Sequence, residues 1–406
     1  MTSMAQSAFF ETPAVATRTR IQSVDILRGA IMMIMAIDHI RDFISSAAMS
    51  FLPNDLTRTT PAIFFTRWIT HFCAPVFIFT AGIGAFLWLQ RGRTKPQLSR
   101  FLVTRGIWLI VVEMTVMHYL FFLDFFRSPI LFLILWAIGW SMIILAGLIY
   151  LPTRVLVVFS LAVVAGHNLL DRFQAEQFGA ASWLWKILHQ NGVFLVKGSV
   201  ILAGYPLIPW FAVMALGYCL APVFSWEPDR RRRFLVRLGI VLTVAFVVIR
   251  AINVYGDPSR WTAQHTKVFT LLSFLNTTKY PPSLLFLLMT LGPALVALGW
   301  LDGVRLSDRN PVLVFGRVPF FYYVIHFGMA HAVMIAMNFF RYGWTSFLLL
   351  PPPSMGTARS LFPANFGYPL WVVYAVWIAV LAIVYPLCLW FSRLKQRRRD
   401  WWLSYM

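Results

Sequence analysis

The stretch VDILRGAIMMIMAIDHIRDFISS, Val24–Ser46, decides how this chain folds. It is long enough to cross a hydrocarbon core, which takes about 20 mostly apolar residues. Yet it carries Asp25, Arg28, Asp38, His39, Arg41 and Asp42. Ionisable groups inside a span are costly in lipid and face a cavity or a partner. Asp25 and Arg28, three residues apart, can pair across one turn at one end of the helix. Asp38 and Asp42 share a face near the other end, with His39 turned about 100° from Asp38. Each group also has a plainer reading, as a neutralised packing pair or an interfacial tail.

The next apolar run, about 62–89, supplies a partner, because Arg67 and His71 lie on one face of it. At 1.5 Å rise per residue, His39 and His71 both fall roughly 10–14 Å below the same surface if the two runs are antiparallel neighbours. Asp38, His39 and His71 can then meet at one depth. A packing role for either histidine stays open. Pro75 is expected to kink its helix, which a membrane tolerates where the backbone lines a cavity.

The rest of the 406 residues agrees with a membrane setting. The chain is 59% hydrophobic and 12% charged, with a mean hydropathy of +0.70. Soluble domains have about 25% charged residues, so an ordinary cytosolic globular protein is excluded. Ten spans are expected, at about 24–46, 62–89, 101–122, 128–150, 154–170, 200–223, 234–254, 283–301, 311–336 and 369–392. The first is too long for a signal-peptide core and is expected to stay as a span. The fold class is therefore an all-α, polytopic helical bundle in the plasma (bacterial inner) membrane. A tail at 1–22, one membrane domain at 23–392 and a basic tail at 393–406 complete the division.

The net charge of +20, from 35 Lys+Arg against 15 Asp+Glu, would suggest nucleic acid in a soluble protein. Here, placing both termini in the cytoplasm puts 21 of those 35 basic residues on the inner side. That is the positive-inside pattern, so the lipid bilayer is the expected partner and nucleic acid is not. Long outer segments at about 171–199, 255–282 and 337–368 contain Trp183, Trp185 and Trp261 and are expected to cap a site. Cys73, Cys219 and Cys388 show no metal spacing, and no metal site is expected. No phosphate-binding glycine loop, dinucleotide fingerprint, HExxH or Gly-x-Ser-x-Gly is present. Glu113, His118, His326 and His331 are further ionisable groups within spans.

The segment from Arg20 through Asp25 and Arg28 to Gly29 resembles the opening of the catalytic domain of heparan-alpha-glucosaminide N-acetyltransferase and its bacterial relatives. Phe72 through Pro75 and Phe79 to Gly82, Thr278–Ser283, and Asn310 through Pro319 to His326 extend the resemblance. It implies a multi-pass transferase taking an acyl group from acetyl-CoA or another acyl-CoA. The acceptor would be an amine or hydroxyl of a glycan or small molecule on the far side. Asp25, Arg28, Arg105 and Arg317 are then expected at the acyl-CoA site, the arginines holding its phosphates. His39 or His71 would be general base with Asp38 orienting the imidazole. Arg67, Lys279, Tyr280 and His326 would meet the acceptor. The family's histidine just after the first span falls here near Pro61, and its helix-one asparagine at Asp38. A homodimer is left open. The competing reading is a transporter that uses the buried Asp, His and Arg residues as a substrate or proton path.

Overall fold

The protein, represented by a computed structural model, is described over residues 21–126, 129–398 and 400–406. Most of the expected 1–22 tail, including Arg18 and Arg20, lies outside the described residues, as do Arg127 and Arg399. The helices are α1 (Gln22–Ile44), α2 (Pro61–Ile69), α3 (Cys73–Leu89), α4 (Lys95–Val112) and α5 (His118–Phe122). Next come α6 (Ile134–Leu148), α7 (Thr153–Gly166), α8 (Ser182–Leu188), α9 (Trp210–Leu220) and α10 (Pro228–Ile252). The last five are α11 (Lys267–Leu275), α12 (Leu284–Trp300), α13 (Pro311–Arg317), α14 (Pro319–Tyr342) and α15 (Leu370–Arg397).

Among the described residues, six helices are long and apolar enough to cross a membrane. They are Pro61–Leu89, Lys95–Phe122, Thr153–Arg172, Pro228–Ile252, Pro319–Tyr342 and Leu370–Arg397. Ile134–Leu148, Trp210–Ser225 and Leu284–Trp300 are apolar but shorter. Helix α1 has the length, at 23 residues, but its charges set it apart from the lipid-facing helices. Sixteen of its residues are buried, Asp25, Asp38 and Arg41 among them. It packs against α3, α12, α13, α14 and α15, which makes it the axis of the bundle.

Close helix contact in lipid depends on small residues, because lipid tails compete with any apolar side chain. A Cβ at Gly29 would lie 1.7 Å from the Val312 carbonyl oxygen, and one at Gly316 would lie 1.7 Å from that of Asp25. Helices α1 and α13 therefore touch backbone to backbone. The same device joins α3 to α9, where a Cβ on Gly82 would be 1.9 Å from the Met214 carbonyl oxygen.

Three expected spans differ in detail. The runs beginning at 128 and 200 open as strands, β1 (Ile130–Phe132) and β3 (Ser199–Ala203), so the bundle is not purely helical. Strand β3 pairs in parallel with β1 and in antiparallel fashion with β2 (Gly192–Val196). A short apolar run reads the same as strand or buried helix, and the turn decides between them. Lys197 and Gly198 both take positive φ, 48° and 83°, the geometry of a tight hairpin turn. The run at 311–336 breaks between α13 and α14, where Pro319 has no N–H to continue a helix and starts a new one instead.

The segment 61–89 is interrupted as Pro75 demands. A 3₁₀ turn, Thr70–Phe72, separates α2 from α3, and the prolyl ring denies the carbonyl of His71 its usual partner four residues on. A π-helical turn, Glu113–Met117, separates α4 from α5. The long loops are structured. Ser354 donates to the Asp42 carbonyl, and Arg341 donates to that of Gly367 at 3.0 Å. Met49, Phe347, Phe362 and Phe366 form a small separate core beneath them. Arg250, fully buried, donates to the carbonyls of Phe274, Ser259, Ser273 and Asn276 at 2.7–3.1 Å, pinning the segment between α10 and α12.

Candidate active site

Polar chemistry collects in two places along α1. At its N-terminal end, a cavity of about 880 Å³ is lined by Asp25, Arg28, Arg105 and Arg317 and penetrates to Met35 and Tyr323. This size suits a small-molecule or cofactor pocket, typically 300–1,000 Å³. Arg91, Arg231, Arg305 and Lys395 also reach it, so cations dominate its polar lining.

The guanidinium groups are fixed by different means. Arg28 donates through Nε to the Thr80 hydroxyl at 3.0 Å and through a second nitrogen to the Thr80 carbonyl. Arg231 is held by Asp302 at 2.8 Å. Arg317 has one nitrogen on Asp308 at 2.8 Å. Its Nε and Nη1 are buried without a hydrogen-bond partner among the described residues. Buried donors are normally paired, so an orphaned guanidinium at the wall of a cavity marks a place for a bound acceptor such as phosphate.

The second collection lies toward the C-terminal end of α1, and it is tightly packed. Asp38 is paired with Arg67 from α2 and with Arg41 at 2.8 Å. Arg41 also binds Asp42 at 2.6 Å. Lys279 is an electrostatic neighbour of Asp38, His39 and His71. It sits 5.1 Å over the Tyr280 ring, and the Tyr280 hydroxyl is 3.3 Å from that of Tyr205. Three cations against two carboxylates leave this buried cluster net positive. Among the described residues, Nη1 of Arg41, Nδ1 of His71 and Oδ1 of Asp38 have no hydrogen-bond partner, the last being held by Arg41 as an ion pair only.

The histidines separate. His39 is not held by Asp38, whose oxygens are occupied by the two arginines; its Nδ1 lies 2.8 Å from Nε2 of His326. The two imidazoles lie nearly coplanar and end to end, with centroids 5.0 Å apart and planes 12° apart. His71 sits in the 3₁₀ turn against the ring of Phe286, 5.4 Å between centroids. All the residues expected near the acceptor, Arg67, Lys279, Tyr280 and His326, thus fall in or beside this cluster. Of the other in-span histidines, His331 bonds the Leu120 carbonyl at 2.7 Å and ties α14 to α5. Glu113 accepts from the amides of Leu135 at 2.8 Å and Trp136 at 3.3 Å, so it caps the N-terminus of α6 inside the bundle.

Sequence reasoning missed Tyr323, which connects the two collections. It lines the cavity, and its ring stands edge-on 6.1 Å from His39 and 5.8 Å from His326. An aromatic residue in an apolar helix carries no signal of that kind. Met35, at the end of the cavity, is four residues from His39, about one helical turn. Among the described residues, no group of three or more His, Cys, Asp or Glu is arranged to hold a metal ion.

A mostly helical membrane protein with a basic cavity and a separate Asp/His/Arg cluster, Tyr323 bordering both, is the class these features define. The family follows from comparison of the whole chain. The model for the heparan-alpha-glucosaminide N-acetyltransferase catalytic family matches residues 20–259, and the chain belongs to that family. The match takes in α1 to α10; Lys279, Tyr280, Arg317 and His326 lie beyond it. A search among curated proteins gave no match. Membership marks the chain as a multi-pass membrane protein of a transferase family.

Proposed function

We propose that the protein is an acyltransferase that draws an acyl group from cytosolic acyl-CoA and passes it across the bilayer. The acceptor is an amine or hydroxyl of an envelope glycan or small molecule. In this reading ten spans cross the bacterial inner membrane with both termini in the cytoplasm. One domain, 23–392, carries all the chemistry, between the tails 1–22 and 393–406. Helix α1 and the three shorter apolar helices join the six long ones to make ten.

The observation that carries the proposal is the orphaned Arg317 guanidinium in a cation-lined cavity that ends one turn from His39. Arg28, Arg105 and Arg317 hold the CoA phosphates by charge-assisted hydrogen bonds, with Asp25 at the same wall. The pantetheine arm follows the apolar stretch past Met35. At the thioester, the acceptor nitrogen or oxygen attacks the acyl carbon and His39 or His71 takes the acceptor proton. The carbon–sulfur bond breaks, and the CoA thiolate leaves and is protonated. Asp38, through its charge, stabilises the imidazolium, and Arg67 faces the developing oxyanion. Lys279, Tyr280 and His326 bound the acceptor side.

The test uses the purified full chain in lipid with acetyl-CoA and glucosamine as acceptor probe. Saturable acetyl-CoA binding, weakened by Arg317→Gln, and release of free CoA thiol are the expected results. Absence of both, together with a substrate-coupled proton flux, would favour translocation and end this reading.

A further inference from the structure

The hydrogen-bond chain through His326 has one consistent arrangement of protons when both imidazoles are neutral. His326 Nδ1 lies 2.8 Å from the carbonyl oxygen of Tyr322. A carbonyl oxygen only accepts, so Nδ1 of His326 must carry hydrogen. In a neutral imidazole the other nitrogen is then a bare acceptor. That nitrogen, Nε2, is the one 2.8 Å from His39 Nδ1. His39 must therefore donate through Nδ1, and its own Nε2 is left without hydrogen. The reverse arrangement would set two lone pairs against each other at the Tyr322 carbonyl. A doubly protonated His326 would put a cation in a site with no exposure.

We infer that His326 is a positioning residue that locks His39 in the tautomer whose Nε2 is free to take a proton. The inference rests on the acyltransferase reading and selects His39 over His71 as its general base. His71 has no comparable orientation, since its Nδ1 is unpaired among the described residues. His326 does what a carboxylate does in a serine-hydrolase triad, fixing tautomer and ring orientation. Unlike a carboxylate, it brings no charge. Opposite charge reaches His39 through space from Asp38 and Asp42, with Lys279 and Arg41 acting against it. The division follows from helix geometry: Asp38 is the chain neighbour of His39 and points to another face, whereas His326 approaches from α14. The near-coplanar hydrogen bond to His326 and the T-shaped contact with Phe327, centroids 5.1 Å apart, fix the plane of the His39 ring. The Tyr322 ring packs nearly parallel to that of His326 at 4.7 Å and restrains it as well.

Histidine-selective ¹⁵N spectra of the full chain in lipid read the tautomer directly, with His39 assigned by its loss in His39→Gln. The expected wild-type spectrum has His39 protonated at Nδ1 and bare at Nε2. His326→Phe should release it to a tautomer mixture. It should also lower acetyl-CoA turnover about 100-fold, within the range for losing general-base assistance, while KM for acetyl-CoA stays unchanged. His326→Gln can accept from His39 and donate to Tyr322, so it should restore the wild-type tautomer and bring turnover to within about tenfold. A wild-type His39 carrying its proton on Nε2 overturns the inference, whatever the variants do. So does a His326→Gln protein as slow as His326→Phe. If the tautomer is as stated but the wild type turns over no acetyl-CoA, the relay stands and the acyltransferase reading fails.

Discussion

The two ends of α1 solve opposite problems. At the N-terminal end, charges surround space: a cavity of about 880 Å³ has arginines along its wall and one guanidinium left partly unpaired. At the other end the charges fill their own site, with Asp38 gripped by Arg41 and Arg67 and the two imidazoles hydrogen-bonded edge to edge. An open basic pocket is built to take a charged ligand. A closed, internally paired cluster spends its charges on one another. Tyr323, touching both, is where the two meet.

The difference can be broken from the packed end first. Asp38→Ala would leave two buried arginines without their carboxylate, and removing one partner of a buried ion pair costs about 3–5 kcal/mol. A large drop in thermal midpoint in lipid or detergent is expected, with Asp38→Asn intermediate. An Asp38→Ala protein as stable as wild type would mean that the cluster is solvated and not closed. Next is the backbone contact that supports the open end. Gly29→Ala forces a methyl into the 1.7 Å approach to Val312, so α1 and α13 must separate, at about 3 kcal/mol, the upper range for overpacking. The measurement is again the thermal midpoint, and acetyl-CoA affinity should fall with it because Arg28 and Arg317 ride on those two helices.

Glu113, at the N-terminus of α6, distinguishes a structural carboxylate from a chemical one. Glu113→Ala strands two amides of α6 and should lose about 1–3 kcal/mol. Glu113→Gln keeps an accepting oxygen and should retain stability and most turnover. A Gln variant that is stable but inactive would move Glu113 into the mechanism. The smallest expected effect belongs to the open end. Arg317→Gln removes a cation from a pocket wall and gives up only its pairing with the exposed Asp308, and KM for acetyl-CoA should rise about tenfold, about 1.4 kcal/mol. Its kcat and thermal midpoint should hold. An unchanged KM would show that the orphaned guanidinium does not face the donor.

Legibility in the sequence tracked the range of the interaction involved. The charged residues of α1 and the break near Pro75 were readable, since they depend on helical spacing within one run; the pairing of Arg67 with Asp38 came from the structure. The strands at 130–132 and 199–203 were read as helix because a short apolar run has no period of its own to distinguish them. Asp38 was expected to orient His39, from proximity in the chain. Neighbouring residues on a helix point to different faces, and the contact went instead to His326.

Sequence alone therefore determined that this chain lives in a membrane, that α1 carries the costly charges, and which family's opening motif it bears. The requirement for apolar length in lipid is local, and so is the cost of a charge placed there. Tertiary structure decided which partner each of those charges received. His39 and His326 are 287 residues apart in the chain, and Arg28 meets Thr80 across 52. Such pairings depend on which helices abut and on the glycines that let them come close, information that no single span contains.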